Sequence, residues 1–403
     1  MLAATTTFPL GEVCSFAGGG TPSRKVPEYF TGSIPWATVK DFKQFRIADT
    51  EEHITEEAVA NSATNIVEAG TVLLVSRVGL GKVAIADTRI AINQDIKALT
   101  PRSDILPEYL FWFLLSKAPD IERMGTGATV KGVTLNDIKA IPIPVPSLPE
   151  QRRIIDLLSR AEGILRLRRE AEQKAAELIP SLFLHMFGDP ATNPKEWPIR
   201  TVREIVARFE GGKNLQAGSE NGSAYRILKV SAVTSGQYLE SESKPTPNGY
   251  SPPSTHIVQA GDMLFSRANT EELVGATAIV EATNGKTLLP DKLWRFVWAE
   301  PVEPIYMYSL FQSRHVRREL GKLSSGTSAS MRNISQAKLF ELPLPVAPYE
   351  KQKAYAKLAI SARSTIQQQF IATTKVETAF DTLLTNTFAN PTEKSLPTES
   401  GKI

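Results

Sequence analysis

Ile141-Pro142-Ile143-Pro144-Val145-Pro146, followed by Glu150-Gln151-Arg152 and a long helical stretch, returns as Leu342-Pro343-Leu344-Pro345-Val346-Ala347, followed by Glu350-Lys351-Gln352 and another. The offset is 343 − 142 = 201 residues, and it holds upstream without a gap: Gly125-Thr126 aligns with Gly326-Thr327, Ala128 with Ala329, Lys131 with Arg332 and Val133 with Ile334. A period this long means two whole domains, each with its own helical appendage. Fainter echoes reach the start of each half. Phe8-Pro9-Leu10 resembles Trp197-Pro198-Ile199, Phe16 with Gly18-Gly19 resembles Phe209 with Gly211-Gly212, and Ala69 to Arg77 resembles Ala260 to Arg267.

Length agrees with the repeat, since 403 residues exceed what one core usually holds. Composition is that of a globular chain, and no run approaches the roughly 18 apolar residues of a membrane span. Met1-Leu2-Ala3-Ala4-Thr5 lacks the basic and apolar regions of a signal peptide, so a cytoplasmic location is expected. Cys14 has no second cysteine to pair with. His53, His185, His256 and His315 are too scattered to suggest a metal site. Residues 1 to 147 carry 14 Lys and Arg against 16 Asp and Glu, and residues 190 to 346 carry 18 against 15, so charge alone marks no nucleic-acid footprint.

Within each half, short β-like runs (Thr71 to Val75, Val83 to Ala86, Tyr225 to Val230, Thr277 to Val280, Leu293 to Trp298) are interrupted by helical pieces at Pro107 to Lys117 and Pro304 to Leu320. The expected class is α+β. Alternating Pro lacks amide donors and holds its neighbours extended, so residues 141–146 and 342–347 read as stiff exit strands into the helices.

The first long helix opens with Ser147 as N-cap and Glu150 three residues on. Apolar or small residues then fall at Ile154, Leu157, Ala161, Ile164, Ala171, Ala175, Leu178 and Leu182, broken at Arg168. The second helix has Tyr355, Ala359, Ala362, Ile366, Val376, Phe380 and Leu383, broken at Gln369, and 369 − 201 = 168. A heptad seam with one polar position sets register, so Arg168 and Gln369 are expected to mark an antiparallel coiled coil, roughly 60 Å long at about 1.5 Å per residue. Pro180 is expected to kink the first helix near its end. The expected division is a domain at 1–147, a helix at 148–188, a second domain at 189–346, a second helix at 347–390 and a flexible tail at 391–403.

Two variable α+β units, each ending in a Pro-alternating strand, a Pro-x-x-Glu-Gln or similar opening and a long helix, resemble the specificity subunit of Type I restriction-modification systems. The link Met186-Phe187-Gly188-Asp189-Pro190, with Asn193-Pro194 and Trp197-Pro198, fits the join before the second domain in that family. The likeness runs from about residue 8 to about 390. It departs at the second helix opening, where Tyr349-Glu350-Lys351-Gln352 replaces Pro149-Glu150-Gln151-Arg152. The resemblance implies a DNA-reading adaptor without catalysis of its own, in a bacterial or archaeal cytoplasm and associated with the nucleoid. Each domain would read one half of a split, asymmetric double-stranded target, and the helices would set the spacer and dock two modification subunits. Those partners would carry S-adenosylmethionine, and restriction subunits would add ATP- and Mg-dependent cleavage and translocation. In keeping with this, Asn193-Pro194 is followed by Lys195-Glu196 and not by an adenine-methyltransferase motif, and no phosphate loop ending Gly-Lys-Ser/Thr is present.

Candidate contacts come from loops. In the first domain they are Gly19, Gly20 and Thr21 with Arg24 and Lys25, then Lys40, Ser76 and Arg77 beside Gly79 and Gly81, and the stretch Thr126 to Lys131. In the second they are Lys213, Lys229, Ser266, Arg267, Asn269, and the stretch Thr327 to Arg332 with Ser328, Ser330 and Arg332. Gly lets backbone amides approach phosphates, and Arg or Asn can contact base edges bidentately. The same glycines suit ordinary turns, and Arg77 and Arg267 suit structural pairing with acidic groups. Two other readings stay open: the recognition portion of a split methyltransferase-nuclease, and a protein-binding scaffold without DNA contact.

Overall fold

A computed structural model describes residues 6–127, 131–219, 223–328 and 331–389. It divides into two compact units, one formed by the chain up to Glu170 and again from Ile371, the other by Ala171–Phe370. The expected tail at 391–403 lies outside the described residues.

In the first unit a five-stranded sheet runs in the order Cys14–Gly18, Ile96–Pro101, Val72–Val75, Val83–Ala86, Arg46–Ile47. Val72–Val75 and Val83–Ala86 are buried at every position, which is why they read as unbroken apolar runs. Helix Pro107–Ser116 packs on these strands and buries Tyr109 to Leu114 without interruption. A second sheet joins His53–Ile54, Ile34–Ala37, Ile90–Ile92 and Asn65–Val67. The second unit repeats the plan with Val206–Gly211, Leu293–Trp298, Met263–Ser266 and Thr277–Ile279 under helix Pro304–Gln312. The helix expected over Pro304 to Leu320 stops at Gln312. Ser313 takes an extended backbone and caps a separate helix, Arg314–Leu323, by accepting from the Val316 amide.

The Pro-alternating segments are strands, each paired with the start of its own half. Thr7, Phe8 and Pro9 face Pro144, Ile143 and Pro142, while Ile199, Arg200 and Thr201 face Pro345, Leu344 and Pro343. The pairing explains the alternation. The amide of Val145 points inward to the Thr6 carbonyl and the carbonyl of Ile141 accepts from Leu10, so the amides of residues 142, 144 and 146 would point outward, and all three are Pro. An edge without donors cannot recruit a further strand. Its outward carbonyls are taken instead: Tyr109 Oη donates to Pro144 O at 2.8 Å and Gln151 Nε2 to Pro146 O at 2.9 Å. In the second half Ala347 stands where Pro146 does and keeps an amide, and the Tyr306 hydroxyl accepts it at 3.0 Å while donating to Pro345 O at 3.2 Å.

The first long helix spans Leu148–Ala176, breaks at Glu177 and resumes as Leu178–Phe187, whereas the second is continuous over Tyr349–Phe388. The break sits just before Pro180, which lacks the amide that would bond Ala176 and whose ring crowds that carbonyl. The seam expected on the first helix needs correction. Leu157 is 42% exposed, Ile164 55% and Leu178 49%, and Ala171 is exposed as well. The covered stripe is Gln151, Ile154, Leu158, Ala161, Leu165, a regular three-four alternation headed by a polar residue, so counting from apolar residues alone misjudged the phase. On the second helix every expected seam residue is buried or half-buried, and Arg168 and Gln369 are each half-buried. The buried Thr373 is a further polar seam position.

Each unit also receives the far end of the other half's helix. In the first, Phe388 meets Tyr109 and Phe113 at ring-centroid distances of 5.5 and 5.7 Å, and Arg169 Nη2 pairs with Glu377 at 2.8 Å. One helix leaves this unit as the other arrives, so within it they run antiparallel. In the second, Phe187 meets Tyr306 and Tyr355 at 4.8 and 5.4 Å, and 388 − 187 = 201.

Because Tyr306 satisfies two backbone groups and Tyr109 one, Tyr306→Phe is expected to cost about 1–3 kcal/mol and more than Tyr109→Phe, since it orphans the buried Ala347 amide. Adding Ala347→Pro should return part of the loss, as read by urea unfolding.

Candidate nucleic-acid interface

Four segments of the first unit are tied together at one end of its sheet. Gly20 N donates to Ile92 O at 3.1 Å, and Thr21 Oγ1 donates to Gln94 Oε1. Ser76 N donates to Asp95 O at 2.8 Å, Arg77 forms a β-bridge with Gly132, and Thr126 exchanges both amide bonds with Gly132. Between them the turn Val78-Gly79-Leu80-Gly81 holds φ of 50°, 93° and 79° at Val78, Gly79 and Gly81, a strained backbone for the β-branched Val78. A side chain at Gly79 would press on Val39, which places the Lys40 segment beside this turn.

The candidate side chains divide by what they already hold. Arg77 is exposed, with its Nε 3.9 Å from Asp95, and Lys131 is exposed beside it. Lys25 and Lys40 are exposed. Arg24 is engaged by Glu52 through two bonds of 3.1 and 2.6 Å and lies over Phe30 at 4.2 Å. Ser76 and Ser266 are buried, with hydroxyls on the main-chain carbonyls of Asp95 and Ala268. Gly19 and Gly212 serve close packing, because a Cβ would stand 2.1 Å from Ile92 O and 1.7 Å from Leu289 O respectively. Residues 128 to 130, and Ser330 with Ala329, lie outside the described residues.

In the second unit Arg267 Nε donates to Asp291 O at 2.9 Å and its guanidinium lies 5.6 Å from the Trp294 ring centroid. Asn269 pairs across the strand with Arg332, whose Nε reaches Ser324 Oγ at 3.2 Å. Strand Ser325–Ser328 completes this small sheet. Lys213 is exposed, and its charge adds to burial in pushing His256 below its usual range. Lys229 is exposed, with Nζ 3.8 Å from Glu242.

Arg77 and Arg267 are not structural counterparts. Ser76 N donates to Asp95 O where Arg267 N donates to Lys292 O, and Val133 N meets Ser76 O where Ile334 N meets Arg267 O. Arg267 therefore corresponds to Ser76 and Arg77 to Ala268, a slip of one residue that puts the two guanidinium groups on opposite strand faces. The same register matches Gln94 and Asp95 with Asp291 and Lys292, since Lys97 faces Gly18 and Leu74 where Trp294 faces Gly211 and Phe265. The loop residues Gln94, Asp95, Asp291 and Lys292 escape sequence reasoning because they sit in turns without periodicity. The repeat, followed to the strand before each exit, was the signal that could have found them.

The second unit holds a buried ion network that the matching described positions of the first do not repeat. Arg295 donates to Glu210 at 2.5 Å, to Asp262 at 3.0 Å and to the carbonyls of Ile257 and Thr255. Arg295 holds the Glu210 carboxyl below its usual range. The matching positions of the first unit are Ala98, Ala17 and Thr71.

A profile described as the Type I restriction modification DNA specificity domain matches residues 4–177. The chain is 32% identical over 228 residues to the Type I restriction enzyme MjaIX specificity subunit of Methanocaldococcus jannaschii, a match covering 51% of each chain. The aligned part thus spans about half the length of that curated relative. In fold the chain resembles the Type I restriction-modification S subunit from M. genitalium, with TM-score 0.56 and 14% identity over 96% of this chain and 97% of that one. It also resembles a solved structure concerned with complex assembly and conformational transition of the type I R-M system, with TM-score 0.61 and 17% identity over 95% and 97%. Among the described residues no helix is long and apolar enough to cross a membrane.

Arg267 is bonded to main chain and stacked whereas Arg77 is half exposed, so Arg267→Ala should lower stability by about 1.5–3 kcal/mol and Arg77→Ala by no more than about 0.5, measured by urea unfolding. Arg295→Ala alone should cost about 3–5 kcal/mol, and the triple change Arg295→Ala, Glu210→Ala, Asp262→Thr should recover most of it, because an uncompensated buried charge costs more than an absent pair.

Proposed function

Since the chain belongs to the family of Type I restriction-modification specificity subunits, we propose that it is the DNA-sequence-reading subunit of such a complex, without catalysis of its own. Each half reads one part of a split, asymmetric duplex target, residues 1–147 as one recognition domain and 189–346 as the other. The helices at 148–188 and 347–390 hold them at a set spacing, with Arg168 and Gln369 as the register pair. The observation that carries this reading is the repeat itself: two units with the same exit strand and helix attachment present different chemistry at equivalent loop positions, Gln94 and Asp95 against Asp291 and Lys292. One scaffold reading two different half-sequences needs that combination. The residues best suited to touch DNA are the exposed Thr21, Lys25, Lys40, Arg77 and Lys131 in the first unit and the exposed Lys213 and Lys229 in the second, where Asn269 and Arg332 are half-buried.

The protein acts with the other restriction-modification subunits, and those partners supply S-adenosylmethionine-dependent methylation and ATP- and Mg-dependent cleavage. Two modification subunits are supported by Leu157 and Leu358, which stand 201 residues apart on the two helices and are 42% and 51% exposed, offering one partner type the same apolar grip twice. A bacterial or archaeal cytoplasm, at the nucleoid, is where such a complex works.

Inserting four residues after Ala171, matched by four after Ala372, should separate the readers by about 6 Å at about 1.5 Å per residue. At roughly 3.4 Å per base pair the preferred spacer should lengthen by about two base pairs with both half-sequences unchanged. Sequencing of methylated sites reads the outcome, and an active complex that keeps its original spacer removes the ruler. Arg77→Ala should weaken binding to one half-site by about 1–3 kcal/mol if it makes a bidentate base contact, and unchanged affinity and preference would take it off the interface.

A further inference from the structure

Gln151 and Gln352 occupy the same place in the repeat, 201 residues apart, and are 0% and 3% exposed. Gln151 Oε1 accepts from Leu106 N at 2.9 Å, and its Nε2 donates to Asp104 O at 2.8 Å and to Pro146 O at 2.9 Å. Gln352 Oε1 accepts from Glu303 N at 3.1 Å, and its Nε2 donates to Ala347 O at 2.8 Å. Leu106 and Glu303 are the N-cap residues of the helices Pro107–Ser116 and Pro304–Gln312. An N-cap amide is ordinarily met by a Glu or Gln three residues on in the same helix. Here it is met by a glutamine of the spacer helix, whose other end holds the carbonyl of Pro146 or Ala347 just beyond the exit strand.

We propose that Gln151 and Gln352 are positioning residues that set the angle at which each recognition unit is carried on its spacer helix, and hence the spacing and helical phase at which the half-sites are read. The proposal rests on the split-target reading above. A covalent link of three residues, 145–147 or 346–348, joins exit strand to helix. The apolar contacts around it hold without direction, whereas hydrogen bonds constrain angle. In the second unit the helix adds a 2.7 Å bond between Tyr355 Oη and Ser309 Oγ and an exposed pair of Arg363 with Glu281, both farther along the helix than the glutamine. A glutamine amide is the one neutral side-chain group besides asparagine that accepts and doubly donates at once. One base pair of extra spacer shifts a half-site by about 3.4 Å and turns it by roughly 35°, from one turn per 10–10.5 base pairs. A unit released from its angular clamp would accept that change.

The full chain is assembled with its modification subunits as wild type, Gln151→Leu, Gln352→Leu and the double variant. Methylation is measured on duplexes carrying the native spacer or one base pair more or fewer. The expected result is that discrimination against the altered spacers falls by about tenfold or more, corresponding to 1.4 kcal/mol per decade, while both half-sequences remain those of wild type. Assembled variants that keep wild-type spacer discrimination overturn the proposal, and so does a change of half-sequence at constant spacer, which would put the glutamines in control of the reading loops. Should the leucine variants fail to assemble, Gln151→Asn and Gln352→Asn, one methylene shorter, are judged by the same two outcomes. A wild-type complex whose methylated target is not split would fail the underlying reading, and that result appears in the control lane before any variant is compared.

Discussion

The structure depends on how each half closes on itself. The chain enters through Thr7–Pro9 or Ile199–Thr201 and leaves through Pro142–Pro144 or Pro343–Pro345, and the two ends pair. Proline on one side of the exit strand strips the outer edge of donors, so pairing stops at two strands. The exposed carbonyls of that edge then become anchoring points. A buried tyrosine takes one and the first turn of the spacer helix takes the next. The helix is thus docked by polar bonds whose directions follow from the strand, and the Phe rings of the arriving helix close the cluster with apolar area that fixes no angle by itself.

The second half shows how the same device survives a substitution. Ala347 restores an amide that Pro146 lacks, and the Tyr306 hydroxyl turns acceptor for it without losing its bond to Pro345 O. The altered helix opening, Tyr349-Glu350-Lys351-Gln352, is compensated just as locally. Aligned at 201, Gln352 matches Gln151, not Arg152, and makes the corresponding bonds to the N-cap amide and to the carbonyl beyond the exit strand. What looked like a departure is a shift of the Pro and Glu around an unmoved glutamine.

Above this common base the two units diverge in the turns that packing constrains least. The turn after Val72–Val75 is the short, strained Val78 to Gly81, whereas the turn after Met263–Ser266 is longer and begins as a strand at Ala268–Asn269. The first unit packs Ala17 and Ala98 under its loops, and the second places Glu210 and Arg295 at those positions. The strands keep their pairing while single positions on them change chemistry, and the turns change in length and backbone as well, because a turn tolerates many side chains.

The repeat, the α+β class, the exit strands and the two long helices were legible in the sequence, since they rest on periodicity and on the missing amides of proline, both local properties. The phase of the first helix was not. Ile154, Leu157, Ala161 and Ile164 fit a seam as well as Ile154, Leu158, Ala161 and Leu165 do, and only contact with the domain and the arriving helix buries the latter set. Arg77 and Arg267 looked equivalent because both follow Ser, yet cross-strand bonds shift one against the other, and a strand's alternation of faces turns one residue of slip into opposite directions. The sequence by itself determined which elements form and that they occur twice. Which faces meet, which serines are buried and which arginines stay exposed was decided by tertiary structure, because those outcomes depend on partners far along the chain that no local pattern encodes.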